Sequence, residues 1–89
     1  MTELSTRLRV TVRYFAAARA AAGTESETVD AEPGTTVADL VRRIGARDAR
    51  LAKVLERCSY LRDGIAVRDP REPLRTGETV DVLPPFAGG

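Results

Sequence analysis

Leu8-Arg9-Val10-Thr11-Val12-Arg13-Tyr14-Phe15 alternates with period two, setting Leu8, Val10, Val12 and Tyr14 on one face and Arg9, Thr11, Arg13 and Phe15 on the other. This pattern predicts a half-buried strand. Downstream, Ala16 to Ala22 is a short helix former stopped by Gly23, and Glu25 to Ala31 supplies a more polar second strand with Val29 facing inward. A hairpin-like connection joins the two strands.

Glu32-Pro33-Gly34 reads as a turn, after which Thr36 caps a helix whose Val37, Leu40, Val41 and Ile44 fall at helical spacing. Asp39, three residues on, suits the positive end of that helix, and Gly45 is expected to close it. Asp48 caps a second helical segment carrying Leu51, Val54 and Leu55 and ending near Cys58. Ser59 to Arg62 and Ile65 to Val67 flank Asp63-Gly64, a pair suited to the positive-φ turn of a hairpin. Asp69 to Gly77 is rich in turn formers. Glu78-Thr79-Val80-Asp81-Val82-Leu83 then alternates as a last strand.

The order is therefore β-β-α-(α)-β-β-β. With a main helix crossing between the second and third strands, that helix must cover one face of a mixed sheet. The fold class expected is α+β: a β-grasp, or ubiquitin-like, sheet of about five strands with one main helix packed on one face. The domain expected is 8–83, preceded by a flexible segment 1–7 and followed by an extended tail 84–89.

Eighty-nine residues suffice for one small core but not for a large internal active site, so function should involve a surface or a partner. A net charge of +1, from 14 bases and 13 acids, supplies no strong field toward nucleic acid or a membrane surface. The bases are arginines except for Lys53, an imbalance that a GC-rich genome explains. No apolar run is long enough to span a bilayer and Met1 to Arg7 has no signal-peptide core, which reads as cytoplasmic. Histidine is absent, which removes a Ser-His-Asp triad or a Cys-His dyad within the chain, and a single cysteine, Cys58, forms no internal disulfide. Cys58 at an apolar helix end reads as a packing residue, Arg42, Arg43, Arg47 and Arg50 as a solvated basic stretch, and Asp63, Asp69 and Asp81 as turn and surface residues.

The chain ends Pro84-Pro85-Phe86-Ala87-Gly88-Gly89. Pro84-Pro85 favours an extended backbone directly after a strand, and two residues without side chains can thread a narrow channel and offer the terminal carboxylate to another protein's chemistry. A frayed end is the competing reading.

Tyr14-Phe15-Ala16-Ala17-Ala18-Arg19-Ala20-Ala21-Ala22-Gly23, together with the closing stretch from Leu74 through Pro84-Pro85-Phe86-Ala87-Gly88-Gly89, resembles the MoaD/ThiS family of ubiquitin-like sulfur carriers, and within it the molybdopterin synthase small subunits. The resemblance spans residues 8–89. Asp63 stands where members commonly carry Asn, and Phe86 where a smaller aliphatic residue is frequent. The resemblance implies that Gly89 is adenylated by a ubiquitin-activating-type partner, which would use ATP and Mg²⁺; this chain has no P-loop and is expected to bind no cofactor or metal itself. A persulfide sulfurtransferase would then leave Gly89 as a thiocarboxylate. The loaded tail, threaded through Gly88, would give its sulfur to a cyclic pyranopterin monophosphate inside the large subunit of molybdopterin synthase, building the dithiolene that later binds molybdenum. The chain would thus be a sulfur-donor subunit and not an enzyme alone.

If Val10, Val12, Val80 and Val82 face the core, period two places Phe15 and Leu83 on the opposite face. With the end strands paired in parallel, as that fold has them, these two form an apolar patch beside the tail, and Arg13 and Arg9 lie further along it. Phe15, Leu83, Pro84, Pro85, Phe86, Ala87 and Arg13 are therefore the expected partner contacts. The rival readings are a sulfur carrier for thiazole or cysteine synthesis, a ubiquitin-like modifier conjugated through Gly89, and a purely structural interaction domain.

Overall fold

A computed structural model describes residues 7–85. Residues 1–6, which make up most of the expected N-terminal segment, and Phe86, Ala87, Gly88 and Gly89 lie outside the described residues.

The elements follow the order β1 (Leu8–Tyr14), α1 (Ala16–Ala22), β2 (Ser26–Ala31), α2 (Val37–Gly45), α3 (Ala49–Leu55), β3 (Ser59–Arg62), β4 (Ile65–Ala66) and β5 (Thr79–Leu83). The sheet runs β2-β1-β5-β3-β4, with β1 and β5 parallel and the other pairs antiparallel. It is the expected mixed β-grasp sheet. The three helices fall where the sequence placed its short, main and second helical segments, α2 being the longest, and each is bounded by its own chemistry.

Ala-rich α1 stops at Gly23, whose φ of 78° lets its N–H donate to the Arg19 carbonyl at 2.9 Å. Thr36 and Asp39 form a reciprocal capping box on α2: the Asp39 N–H donates to Thr36 Oγ1 at 3.0 Å and the Thr36 N–H to Asp39 Oδ2 at 3.1 Å. Asp48 accepts the Arg50 and Leu51 N–H groups at 2.7 and 3.3 Å and so starts α3 as expected.

α2 closes at Gly45 as expected. That glycine is its last residue, and the cap is Ala46 in right-handed conformation. Gly45 lies where α2 meets α3, and a Cβ there would make ordinary contact, 3.4 Å from Ala52 Cβ and 3.5 Å from Leu55 Cδ1.

Val10, Val12, Tyr14, Val80 and Val82 point from β1 and β5 into a core closed by Val37, Leu40 and Ile44 of α2, Leu51 and Leu55 of α3, and Ala18 of α1. Full burial of each larger side chain contributes roughly 1.5–3 kcal/mol. The long connection into β5 is clamped by Arg62, whose Nε donates to Glu78 Oε2 at 2.9 Å and whose Nη2 donates to the Pro73 carbonyl at 2.7 Å. Asp63 and Gly64 take φ of 48° and 83°, as the expected tight turn demands. Asp63 also accepts the Thr79 N–H at 2.8 Å, tying that hairpin to β5. Residues of all three helices share the core on one side of the sheet, and among the described residues no helix contributes to the other face.

Candidate functional site

β5 is the central strand, bonded to β1 on one side and β3 on the other, so the root of the tail is fixed where Leu83 pairs with Ser59. Beyond it, Pro84 is half-buried and Pro85 exposed. The parallel register sets Tyr14 beside Val82, and the Phe15 N–H donates to the Val82 carbonyl at 3.2 Å. Phe15 therefore stands next to Leu83 at the mouth of the tail, as the alternation implied.

β1 ends at Tyr14, and Phe15 is the N-cap of α1 with extended backbone. Phe15 remains 38% accessible, while Tyr14 is buried. The chain makes this corner through Ala16, a non-glycine residue at φ 50°. A left-handed alanine costs about 1–2 kcal/mol, and it sits at the corner between the exposed Phe15 and the rest of α1.

Across the face away from the core, cross-strand register aligns Arg13, Asp81, Leu61 and Ala66 in one row. Asp81 corrects the sequence reading. Assigned to the surface, it is buried, and it accepts from Arg13 Nε at 2.6 Å and Nη2 at 2.8 Å. Its hydrogen bonds and charge hold the Arg13 guanidinium still more firmly protonated. The guanidinium carbon also sits 5.6 Å from the Phe15 ring centroid, so the pair links both ends of the patch. Leu61 was not anticipated on this face. Arg9 lies on the same face but bonds to Asp30 of β2 at 3.2 Å.

The basic stretch is only partly a solvated face. Arg42 pairs with Asp39, Arg43 donates to the Asp30 carbonyl at 2.8 Å, and Arg47 grips Glu27 with two bonds at 3.1 and 2.8 Å. Cys58 is half-buried, its thiol donates to the Val54 carbonyl at 3.2 Å, and burial pushes that thiol's pKa up. A thiol so held is a poor nucleophile, in keeping with packing. Among the described residues there is no cluster of three or more His, Cys, Asp or Glu able to hold a metal, and no helix long and apolar enough to cross a membrane.

The model of the ThiS family matches residues 12–89, from the middle of β1 through the final glycine. The chain belongs to the ThiS family. A molybdopterin synthase sulfur carrier subunit of Chlamydomonas reinhardtii is 31% identical over 83 residues, covering 92% of this chain and 100% of that protein. The solution structure of the Haloferax volcanii HVO 2177 protein superposes with a TM-score of 0.84 at 27% identity, covering 100% of this chain and 93% of that one. The crystal structure of SAMP1 from Haloferax volcanii gives a TM-score of 0.79 at 24% identity over 91% of this chain and 99% of its own, a likeness of fold alone. In this ThiS-family member, Pro84 and Pro85 directly follow the central strand β5.

Proposed function

We propose that this protein is the sulfur-carrying small subunit of a molybdopterin synthase. The observation that carries the reading is the family match running through Gly89, on a tail rooted in a central strand that is bonded on both sides. The relative named as a molybdopterin synthase sulfur carrier subunit, matched over its whole length, favours molybdopterin over other sulfur-requiring pathways.

In this reading a separate activating enzyme transfers AMP from ATP to the Gly89 carboxylate, releasing pyrophosphate. The terminal sulfur of a persulfide then attacks the acyl carbon and AMP leaves. A second thiol cleaves the resulting acyl disulfide, so that Gly89 carries a thiocarboxylate and the two donor sulfurs become a disulfide. The large subunit receives the tail while Phe15 and Leu83 dock on its surface beside the channel. Gly88 and Gly89 serve through the absence of Cβ atoms, which lets the backbone approach closely. Tethering raises the concentration of sulfur at the acceptor.

Conjugation to a lysine through Gly89 shares the adenylation step, so the test must read the product. Incubation with an activating enzyme of this type, ATP and a persulfide donor is expected to shift the intact mass by one oxygen-to-sulfur exchange, and a protein lacking Gly89 should show no shift. A branched Gly-Gly remnant on other proteins with no such mass shift would contradict the carrier reading.

A further inference from the structure

The ion pairs near the tail differ in one respect. In Arg13–Asp81 the cation is 53% accessible and its carboxylate 8%, whereas in Arg19–Glu25 both partners are exposed. Arg13 therefore turns its charge outward over a buried counter-ion. Two of its nitrogens bond to Asp81, and Nη1 makes no hydrogen bond among the described residues. Beside it, Arg13, Phe15, Arg19, Glu25 and Ser26 help to line a shallow pocket of about 210 Å³.

We propose that Arg13 is the polar anchor of the docking face, and that the protein partner seated there places an aspartate or glutamate side chain in the pocket between Arg13 and Arg19. The inference rests on the reading that this face receives a partner, and it specifies the chemistry of one contact.

Three physical arguments lead to it. The pocket is smaller than the roughly 300–1,000 Å³ of sites for small-molecule ligands, and its size suits a single side chain. Both guanidinium groups in its wall already have carboxylate partners, Arg13 with Asp81 and Arg19 with Glu25, but Arg13 keeps Nη1 unused among the described residues, a charged donor that suits a carboxylate acceptor. Arg13 is also held in place beforehand by two bonds from below and by the Phe15 ring, so docking need not immobilise a long flexible side chain. A lone buried Asp81 would resist being covered by a partner. The neutral pair does not, and it leaves Nη1 requiring an acceptor once water is displaced by the apolar surround of Phe15 and Leu83.

The test is titration calorimetry of the full chain against the molybdopterin synthase large subunit of the same genome, at low and high salt. The double variant Arg13→Met/Asp81→Leu exchanges the ion pair for apolar groups of similar size and should keep the wild-type urea midpoint. It is expected to bind about tenfold or more weakly, with a shallower salt dependence. Arg13→Lys, which keeps the charge and loses the fork, should fall between. Wild-type affinity and salt slope in the double variant overturn the proposal. If that variant fails to fold, Arg13→Lys decides: weaker binding sustains the anchor, and unchanged binding removes it. A Leu83→Asp arm separates the two levels. If Leu83→Asp loses binding while the Arg13 variants do not, only the acidic contact falls; if Leu83→Asp also binds normally, the docking face falls with it.

Discussion

Ala16 and Glu27 show what single residues contribute. Ala16 sits at φ 50° at the corner beside the exposed Phe15. Ala16→Val should lower unfolding free energy by about 1–2 kcal/mol, because a β-branched side chain tolerates that region worse than alanine. Ala16→Gly should be neutral or slightly stabilising, as relieved strain offsets added unfolded-state entropy; urea denaturation of the pair reads both. Glu27 accepts from the buried Tyr14 hydroxyl at 2.6 Å and from Arg47, and the Arg47 hydrogen bond is the main cause of its lowered pKa. A carboxylate depressed by folding contributes stability that is present above its unfolded value, about 4.3, and is lost as pH falls through the folded value. The urea midpoint should therefore drop between pH 5 and 3 by less in Glu27→Gln than in the wild type. An identical acid dependence would show that this network does not contribute.

At the scale of elements, the α2–α3 contact runs through Gly45. A Cβ at Gly45 meets Ala52 and Leu55 at ordinary contact distance, so Gly45→Ala should be tolerated, whereas the added γ-methyls of Gly45→Val crowd that junction and should cost about 1–3 kcal/mol, read by urea denaturation. This is also where the limits of sequence reading are visible. The strands β1 and β5, the caps Thr36 and Asp48, the stop at Gly23 and the Asp63-Gly64 turn were legible, since each depends on neighbours within four residues. Register was not. Nothing local to Asp81 reveals that β5 sets it opposite Arg13, 68 positions away, so it looked like a surface acid. Leu61 was missed for the same reason, and the end of α2 at Gly45 was legible while its contact with Ala52 and Leu55 of the next helix was not. Phe15 and Leu83 were placed on the right face because period two alone decides face once the core side is known.

For the whole molecule, the proposed function divides the work between this chain, whose tail follows the central strand β5, and a partner. The body needs no nucleophile of its own in this account. Cys58→Ser should therefore leave sulfur transfer within about twofold of wild type, given how the thiol is buried and bonded, and a large loss would make Cys58 a relay. The most direct measurement combines the large subunit and the cyclic pyranopterin substrate with three forms of the full chain: thiocarboxylated at Gly89, unloaded, and truncated by Gly89. The account predicts the pterin dithiolene with the thiocarboxylated form only. Equal product from the unloaded or truncated chain, or none from the loaded one, would contradict it.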